Sequence, residues 1–256
     1  MVMGTTLATK LLQMTKRQMR ISVEDIQKEC GTENLEEEVQ SLKQRGLVNA
    51  DHEFLEVTSR QRVMLAETLV RAGQDVQLVS RLLAWQEFEE FVEAALDQSG
   101  FHSVRHVVFK GTVGRREIDV LAWSDVWILV VDCKHWSGIL ARSRMKSAAE
   151  AQVERARALA ERPEIMGRQG IQRIDLPLVP ILLTLGEPRD RLIGGVPIVG
   201  LSRLSSFLQE ASPYVDGFLT IYVQTPSKQS SLTSHIRTQK RNRMPNLTQG
   251  ADRRRP

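Results

Sequence analysis

The sequence predicts an α/β protein, a mixed sheet flanked by helices and preceded by a small module of three helices and a hairpin. From residue 75 onward, segments of helical and strand periodicity follow in the order α-β-β-β-α-β-β-α, which implies helices layered on a sheet. Every residue from Trp127 to Val131 is apolar, as in a strand buried on both faces. The first 60 residues instead carry three short helical segments, punctuated by Gly31 and Gly46, and then two short strands.

A first helix is expected over residues 7–19. Ser22 caps a second through Val23, Ile26 and Cys30, and Gly31 stops it. Thr32 caps a third, in which Leu35, Val39 and Leu42 share one face and Gly46 ends the run. Leu47-Val48 and residues 54–57 flank a polar turn as a hairpin. Thr58 opens a helix that runs to Gly73. From Asp75 one long helical pattern continues to Gln98, with Leu78, Leu82, Trp85, Phe88, Val92, Ala95 and Leu96 on a single apolar stripe, and Gly100 stops it. Strands follow over residues 104–109, 117–123 and 127–134, then a helix over 143–160, strands over 178–184 and 196–199, and a helix over 202–209. This divides the chain into a module over residues 1–73, a larger domain over 74–225, and a tail over 226–256.

With 256 residues, 41% of them apolar and 26% charged, the composition is that of a folded globular chain. No stretch approaches the roughly 18 consecutive apolar residues of a membrane span, and the first residues lack a signal-peptide pattern. Cys30 and Cys133 stand far apart without a CxxC, so neither a disulfide framework nor a zinc ribbon is expected. Together these features predict a cytoplasmic protein with no membrane partner. The net charge of +4 is uneven: residues 226–256 carry eight basic side chains against Asp252 alone. That tail, poor in apolar residues, reads as disordered and suits contact with nucleic acid or a simple solubilising role.

The order of elements in residues 1–60 resembles a winged helix-turn-helix domain, which implies a third helix laid in the DNA major groove. Glu33, Glu36, Glu37 and Glu38 crowd the start of that helix, however, and residues 1–73 hold ten basic against eleven acidic side chains. Dimerisation or protein docking therefore stands beside DNA reading as its role.

The chemistry concentrates in residues 116–138, REIDVLAWSDVWILVVDCKHWSG. The apolar run ends directly in Asp132 and Lys134, which the two-residue strand period places on one face, with Cys133 on the other. Asp119 lies in the preceding strand, and the Ser124-Asp125 turn allows the two strands to pair. Charges at the end of a buried sheet need partners or a metal, because each costs several kcal/mol to desolvate. Two carboxylates on adjacent strands suit a hard, oxygen-preferring cation, Mg²⁺ or Mn²⁺, and the lysine can orient a water or stabilise developing negative charge.

Asp119, twelve intervening residues and then Asp132-Cys133-Lys134 resemble the motif of the PD-(D/E)xK nuclease superfamily, with Ile118 in place of the family's proline. The resemblance implies a restriction-endonuclease-like fold over roughly residues 80–210. Among its branches it looks most like Mrr-type endonucleases, archaeal Holliday-junction resolvases and nuclease-related domains. WQEFEEFVEAALDQSGF resembles the Mrr-like first helix, and CKHWSG the segment after the lysine in nuclease-related domains. Members often add a glutamate from that helix to the metal site. Of Glu87, Glu89, Glu90 and Glu93, Glu89 lies at the edge of the apolar stripe and is the one chosen. Gln152 matches by position a glutamine that touches the site or the DNA in related nucleases.

The implied set is thus Glu89, Asp119 and Asp132 as metal ligands, with Lys134 and Gln152 completing the catalytic group. Lys110, Arg115 and Arg116 bracket the GTVGRR loop, and Arg142, Arg144, Lys146, Arg155 and Arg157 follow the motif; phosphate contact is their functional reading and a solvated surface the plain one. His102 and His106 fall at a strand boundary and read as structural or solvated; His135 has contact with substrate as its functional reading and packing or solvation as the plain one, and Trp136 has stacking on a base as its functional reading and core as the plain one. No GxxxxGK[ST], GxSxG or HExxH is present. The expectation is a metal-dependent endonuclease acting on DNA. The alternative is a catalytically inactive DNA-binding or protein-docking regulator on a nuclease-like scaffold. A homodimer is compatible with cutting both strands of a duplex.

Overall fold

A computed structural model describes residues 5–31, 34–136, 141–211 and 217–223, all within one compact unit. The basic tail over 226–256 lies outside the described residues, as do Thr32 and Glu33. Among the described residues no helix is long and apolar enough to cross a membrane.

The N-terminal part consists of α1 (Thr5–Met14), β1 (Arg20–Ser22), α2 (Val23–Cys30), α3 (Leu35–Gln44), β2 (Asn49–Ala50), β3 (Phe54–Glu56) and α4 (Ser59–Arg71). Ser22 caps α2 by accepting the Asp25 N–H, and Thr58 caps α4 in a reciprocal pair with Gln61. The first helix stops five residues short of the expected end, because Arg20, Ile21 and Ser22 pair with Glu56, Leu55 and Phe54 as the edge of a three-stranded antiparallel sheet ordered β1-β3-β2. Asn34, at positive φ, precedes α3.

The long helix expected from residue 75 to 98 is two helices, α5 (Val76–Ser80) and α6 (Trp85–Gln98). Two tertiary bonds and one local cap occupy the intervening backbone. The Arg81 carbonyl accepts from Lys16 Nζ, the Leu82 carbonyl from Arg62 Nη2, and the Ala84 N–H donates to Glu87 Oε2 at 2.7 Å. The predicted stripe breaks with the helix: Phe88, Val92 and Leu96 are buried, but Leu78 is 60% and Trp85 43% exposed.

Next come β4 (His102–Lys110), β5 (Arg115–Trp123), β6 (Ile128–Lys134), α7 (Arg142–Ala160), α8 (Pro163–Arg168), β7 (Leu178–Thr184), β8 (Leu192–Ile193), β9 (Val196–Gly200), a 3₁₀ turn (Leu201–Arg203) and α9 (Leu204–Glu210). The six-stranded sheet runs β4-β5-β6-β7-β9-β8, antiparallel at its edges and parallel where β6, β7 and β9 meet. β7, apolar except for Thr184, and the apolar part of β6 are buried on both faces, as expected of parallel central strands. On one face Val131, Cys133, Ile181 and Leu183 join a core that continues through Phe88 and Val92 to Leu65, Leu11 and Leu7. On the other, Ile128, Val130 and Leu178 pack with Leu159 and Met166.

Arg62 of α4 is the polar centre of the first core. Its Nε reaches both carboxylate oxygens of Glu87 at 3.0 and 3.1 Å, and its Nη groups donate to the Leu12 carbonyl, Thr15 Oγ1 and the Leu82 carbonyl. Both partners are buried. Removing one charge from such a pair strands the other in a low-dielectric interior. Arg62→Ala is therefore expected to lower the unfolding free energy by about 3–5 kcal/mol, whereas Arg62→Ala combined with Glu87→Ala loses less than the two single changes summed. Urea unfolding of the four proteins measures the coupling; strict additivity would contradict a paired role for the two charges.

Candidate active site

The site begins where a ladder stops. The β5 to β6 pairing runs from Trp123↔Ile128 to Val120↔Val131 and ends there, whereas β6 remains paired to β7 through Lys134↔Thr184. The next facing residues across the opened seam are Asp119 and Asp132. In place of a backbone partner, the Cys133 N–H donates to Asp119 Oδ2 at 2.8 Å.

The other neighbouring strand is distorted at the same level. His106, midway along β4, has φ 54, a left-handed conformation that a non-glycine residue adopts at a steric cost. Val104 and Val107, three apart, both pack on the α8-side core, and so do Ile118 and Leu121. The two-residue alternation of both strands therefore slips by one beside Asp119. The His106 ring lies between Glu89 Oε2 at 3.3 Å and Glu117 Oε1 at 3.4 Å.

Asp132 is buried and answered by two cations. Lys134 Nζ donates to its Oδ1 at 2.9 Å and lies 2.7 Å from Oδ2, which has no well-aligned hydrogen bond, and Arg155 Nη1 donates to Oδ1 at 3.0 Å. Arg155 is aimed by Gln152, whose Oε1 accepts from Nη1 at 2.9 Å and whose Nε2 donates to the Val130 carbonyl at 2.6 Å. Gln152 is fully buried, so its amide ties α7 to β6 and presents Arg155 rather than reaching outward. From the sequence Arg155 stood only among the phosphate contacts; the Gln152-x-x-Arg155 spacing, one helix face, was the available signal. No local pattern marked His106, because left-handed backbone in a strand is imposed by the sheet.

Of the four glutamates on α6, Glu87 is taken by Arg62, while Glu90 and Glu93 pair with Arg105. Glu89 is 2% exposed, its Oε2 makes no hydrogen bond, and the nearby Trp85 indole favours the charged form of the same carboxylate. Burial, and next the charge of Asp119, push Glu89 up to about 7. Asp119 is raised too, by burial first and Asp132 second. Glu89 thus feels the charge of Asp119, and Asp119 that of Asp132. Burial also holds the Cys133 thiol well above its ordinary value, so it is not a nucleophile at neutral pH.

Among the described residues no three His, Cys, Asp or Glu side chains are already drawn into a ligand cage. The donor chemistry nevertheless fits a hard divalent cation. The set is all oxygen, it is mutually repulsive, and it contains two buried oxygens, Glu89 Oε2 and Asp132 Oδ2, without hydrogen bonds.

The basic residues are more dispersed. Lys110 and Arg115 face each other, exposed, at the end of the β4–β5 hairpin, and Arg116 is half-buried beside them. Arg142 pairs with Asp190 and Lys146 with Glu150, whereas Arg144 lies 5.3 Å over the Trp136 ring. His102 packs at a tilt against Trp123, and His135 packs edge-on to Phe88 while its Nε2 lies 3.2 Å from the Ser80 carbonyl. Trp136 is half-buried, with Lys134 Nζ 5.8 Å from its ring.

Residues 84–162, which include Glu89, Asp119, Asp132, Lys134 and Gln152, match the family model of the Nuclease-related domain. An uncharacterized protein of Archaeoglobus fulgidus is 29% identical over 137 residues, which span 53% of this chain and 98% of the relative. Two crystal structures are similar at low scores. One is of a protein of unknown function, AF1548 (TM-score 0.31, 18% identity, covering 44% of this chain and 56% of that one). The other is of protein VC1899 from Vibrio cholerae (TM-score 0.37, 12% identity, 84% and 51%). The chain thus spans about half the length of each of these two.

Glu89 gives the site a pH signature in the absence of metal. A carboxyl raised above its usual 4.5 contributes stability below that value and loses it as pH climbs through about 7. Glu89→Gln cannot ionise, so in EDTA its melting temperature should gain on the native protein's between about pH 5 and pH 8. A difference that does not change with pH would refute the assignment.

Proposed function

We propose that the protein is a metal-dependent endonuclease that hydrolyses phosphodiester bonds in DNA. The observation that carries this reading is the opened β5/β6 seam, where Asp119, Asp132 and Lys134 meet Glu89 from α6 with two buried carboxylate oxygens lacking hydrogen bonds. The match of residues 84–162 to the Nuclease-related domain supports the same class of chemistry.

In this reading Glu89, Asp119 and Asp132 hold Mg²⁺ or Mn²⁺, which when bound supplies positive charge for a phosphodiester oxygen and lowers the pKa of a coordinated water. The protein's own groups do the positioning. Lys134, less buried than Asp132, releases the aspartate and directs its ammonium toward the attacking water or the developing negative charge. Arg155, locked by Gln152, remains as the fixed counter-charge beside buried Asp132. The Cys133 N–H holds Asp119 in one orientation. Lys110, Arg115 and Arg144, without ion-pair partners among the described residues, are candidates for phosphate contact, whereas Arg142 and Lys146 must first leave Asp190 and Glu150.

The existing ion pairs of Asp132 favour one competing reading, a binding scaffold in which Lys134 and Arg155 serve the fold alone. Cleavage of supercoiled plasmid, single-stranded and four-way-junction DNA with Mg²⁺ and Mn²⁺ separates the two. The native protein should cut, and Asp132→Ala and Lys134→Ala should each lose roughly 100-fold or more while still binding DNA. Absence of cutting by the native protein with either metal would leave the scaffold.

A further inference from the structure

We propose that Trp85, with Trp136 across the lysine from it, forms a stacking subsite for an unpaired DNA base, so that the preferred DNA has single-stranded character beside the scissile bond. Nucleic acid as the ligand rests on the nuclease reading above; the single-strand preference rests on the rings themselves.

Trp85 is the first residue of α6 and is 43% exposed, while Phe88, Val92 and Leu96 on the same helix are buried. A tryptophan left this open contributes little to the core, yet it is held in place. Its indole N–H is near enough to the Glu89 carboxylate to favour the charged form, and its ring centroid lies 6.0 Å from Lys134 Nζ. The same ammonium is 5.8 Å from the ring of Trp136, over which Arg144 sits at 5.3 Å. The backbone around Trp136 is fixed as well, since its carbonyl accepts the Gly186 N–H and the Lys134 carbonyl accepts the Leu185 N–H. Two aromatic surfaces and two cations therefore border the mouth of the carboxylate site.

That pairing of flat apolar faces with positive charge suits single strands: the rings take base faces and the cations take phosphates. A base inside a duplex already has both faces covered by its neighbours and gains nothing from a tryptophan unless it is extruded at the expense of stacking. The energy available at Trp85 therefore goes to bases that are already unpaired, at a single strand, a flap or a junction. An exposed tryptophan can also anchor a protein partner, and the test distinguishes that case.

Binding of a labelled single-stranded oligonucleotide and of a hairpin duplex is measured by anisotropy in EDTA, where no cleavage occurs, on the full chain. Circular dichroism melting checks that each variant is folded. Trp85→Ala should weaken single-strand binding roughly 5- to 100-fold with the duplex affinity unchanged. Trp85→Phe, which keeps a ring but loses the indole N–H, should restore most of the loss. The subsite is refuted if Trp85→Ala leaves single-strand binding intact, as expected of a protein-docking tryptophan, or if it weakens both DNAs alike. Because the readout is metal-free binding, failure here leaves the cleavage result standing, and failure of cleavage leaves this result readable.

Discussion

A carboxylate at the end of a strand that is otherwise apolar on both faces is the constraint around which the rest of this structure is arranged. Asp132 cannot be buried alone, since an unpaired charge there would cost several kcal/mol or take up a proton. Lys134 answers it from the same strand face and Arg155 from α7, and Arg155 is held by Gln152, which also satisfies the Val130 carbonyl. A single buried charge thus accounts for the polar residues that face β6 from α7. It also accounts for the seam, because the strand that would otherwise continue pairing carries Asp119, whose side chain takes the Cys133 N–H instead.

Glu89 is placed by a second buried ion pair. Glu87, two residues earlier on α6, binds Arg62, and Arg62 also gathers carbonyls from α1 and from the link after α5. The N-terminal helices and the start of α6 are therefore locked together, and one apolar core runs around this buried polar cluster from Leu7 to Val131 and Ile181. The same clasp ends the helical run after Ser80 and restarts it at Trp85. It thereby leaves an aromatic side chain at the mouth of the carboxylate cluster instead of in the core.

Much of this was legible in the sequence. Short apolar and alternating runs located each main strand, because an extended chain turns every second side chain to the same face and a central strand buries both. The charged residues ending an apolar run marked Asp132 and Lys134, and the edge of a helical stripe singled out Glu89 among four glutamates. The break between α5 and α6 was not legible: no glycine or proline lies in residues 81–84, and the interrupting bonds come from Lys16 and Arg62. The left-handed turn at His106 was also hidden, since it accompanies a shift of face alternation that both paired strands make at the same level while their register is kept.

The sequence by itself determined the layers, the buried strand and the residue types able to hold a hard cation, because these follow from local periodicity and from the cost of burying charge. The tertiary structure decided the partners. Which glutamate is clasped by Arg62 and which is left facing Asp119, whether Gln152 reaches outward or holds Arg155, and whether Trp85 is core or surface all depend on contacts between residues far apart in the chain. A pairwise bond across 25 residues, such as Arg62 to Glu87, leaves no trace in any local window of sequence.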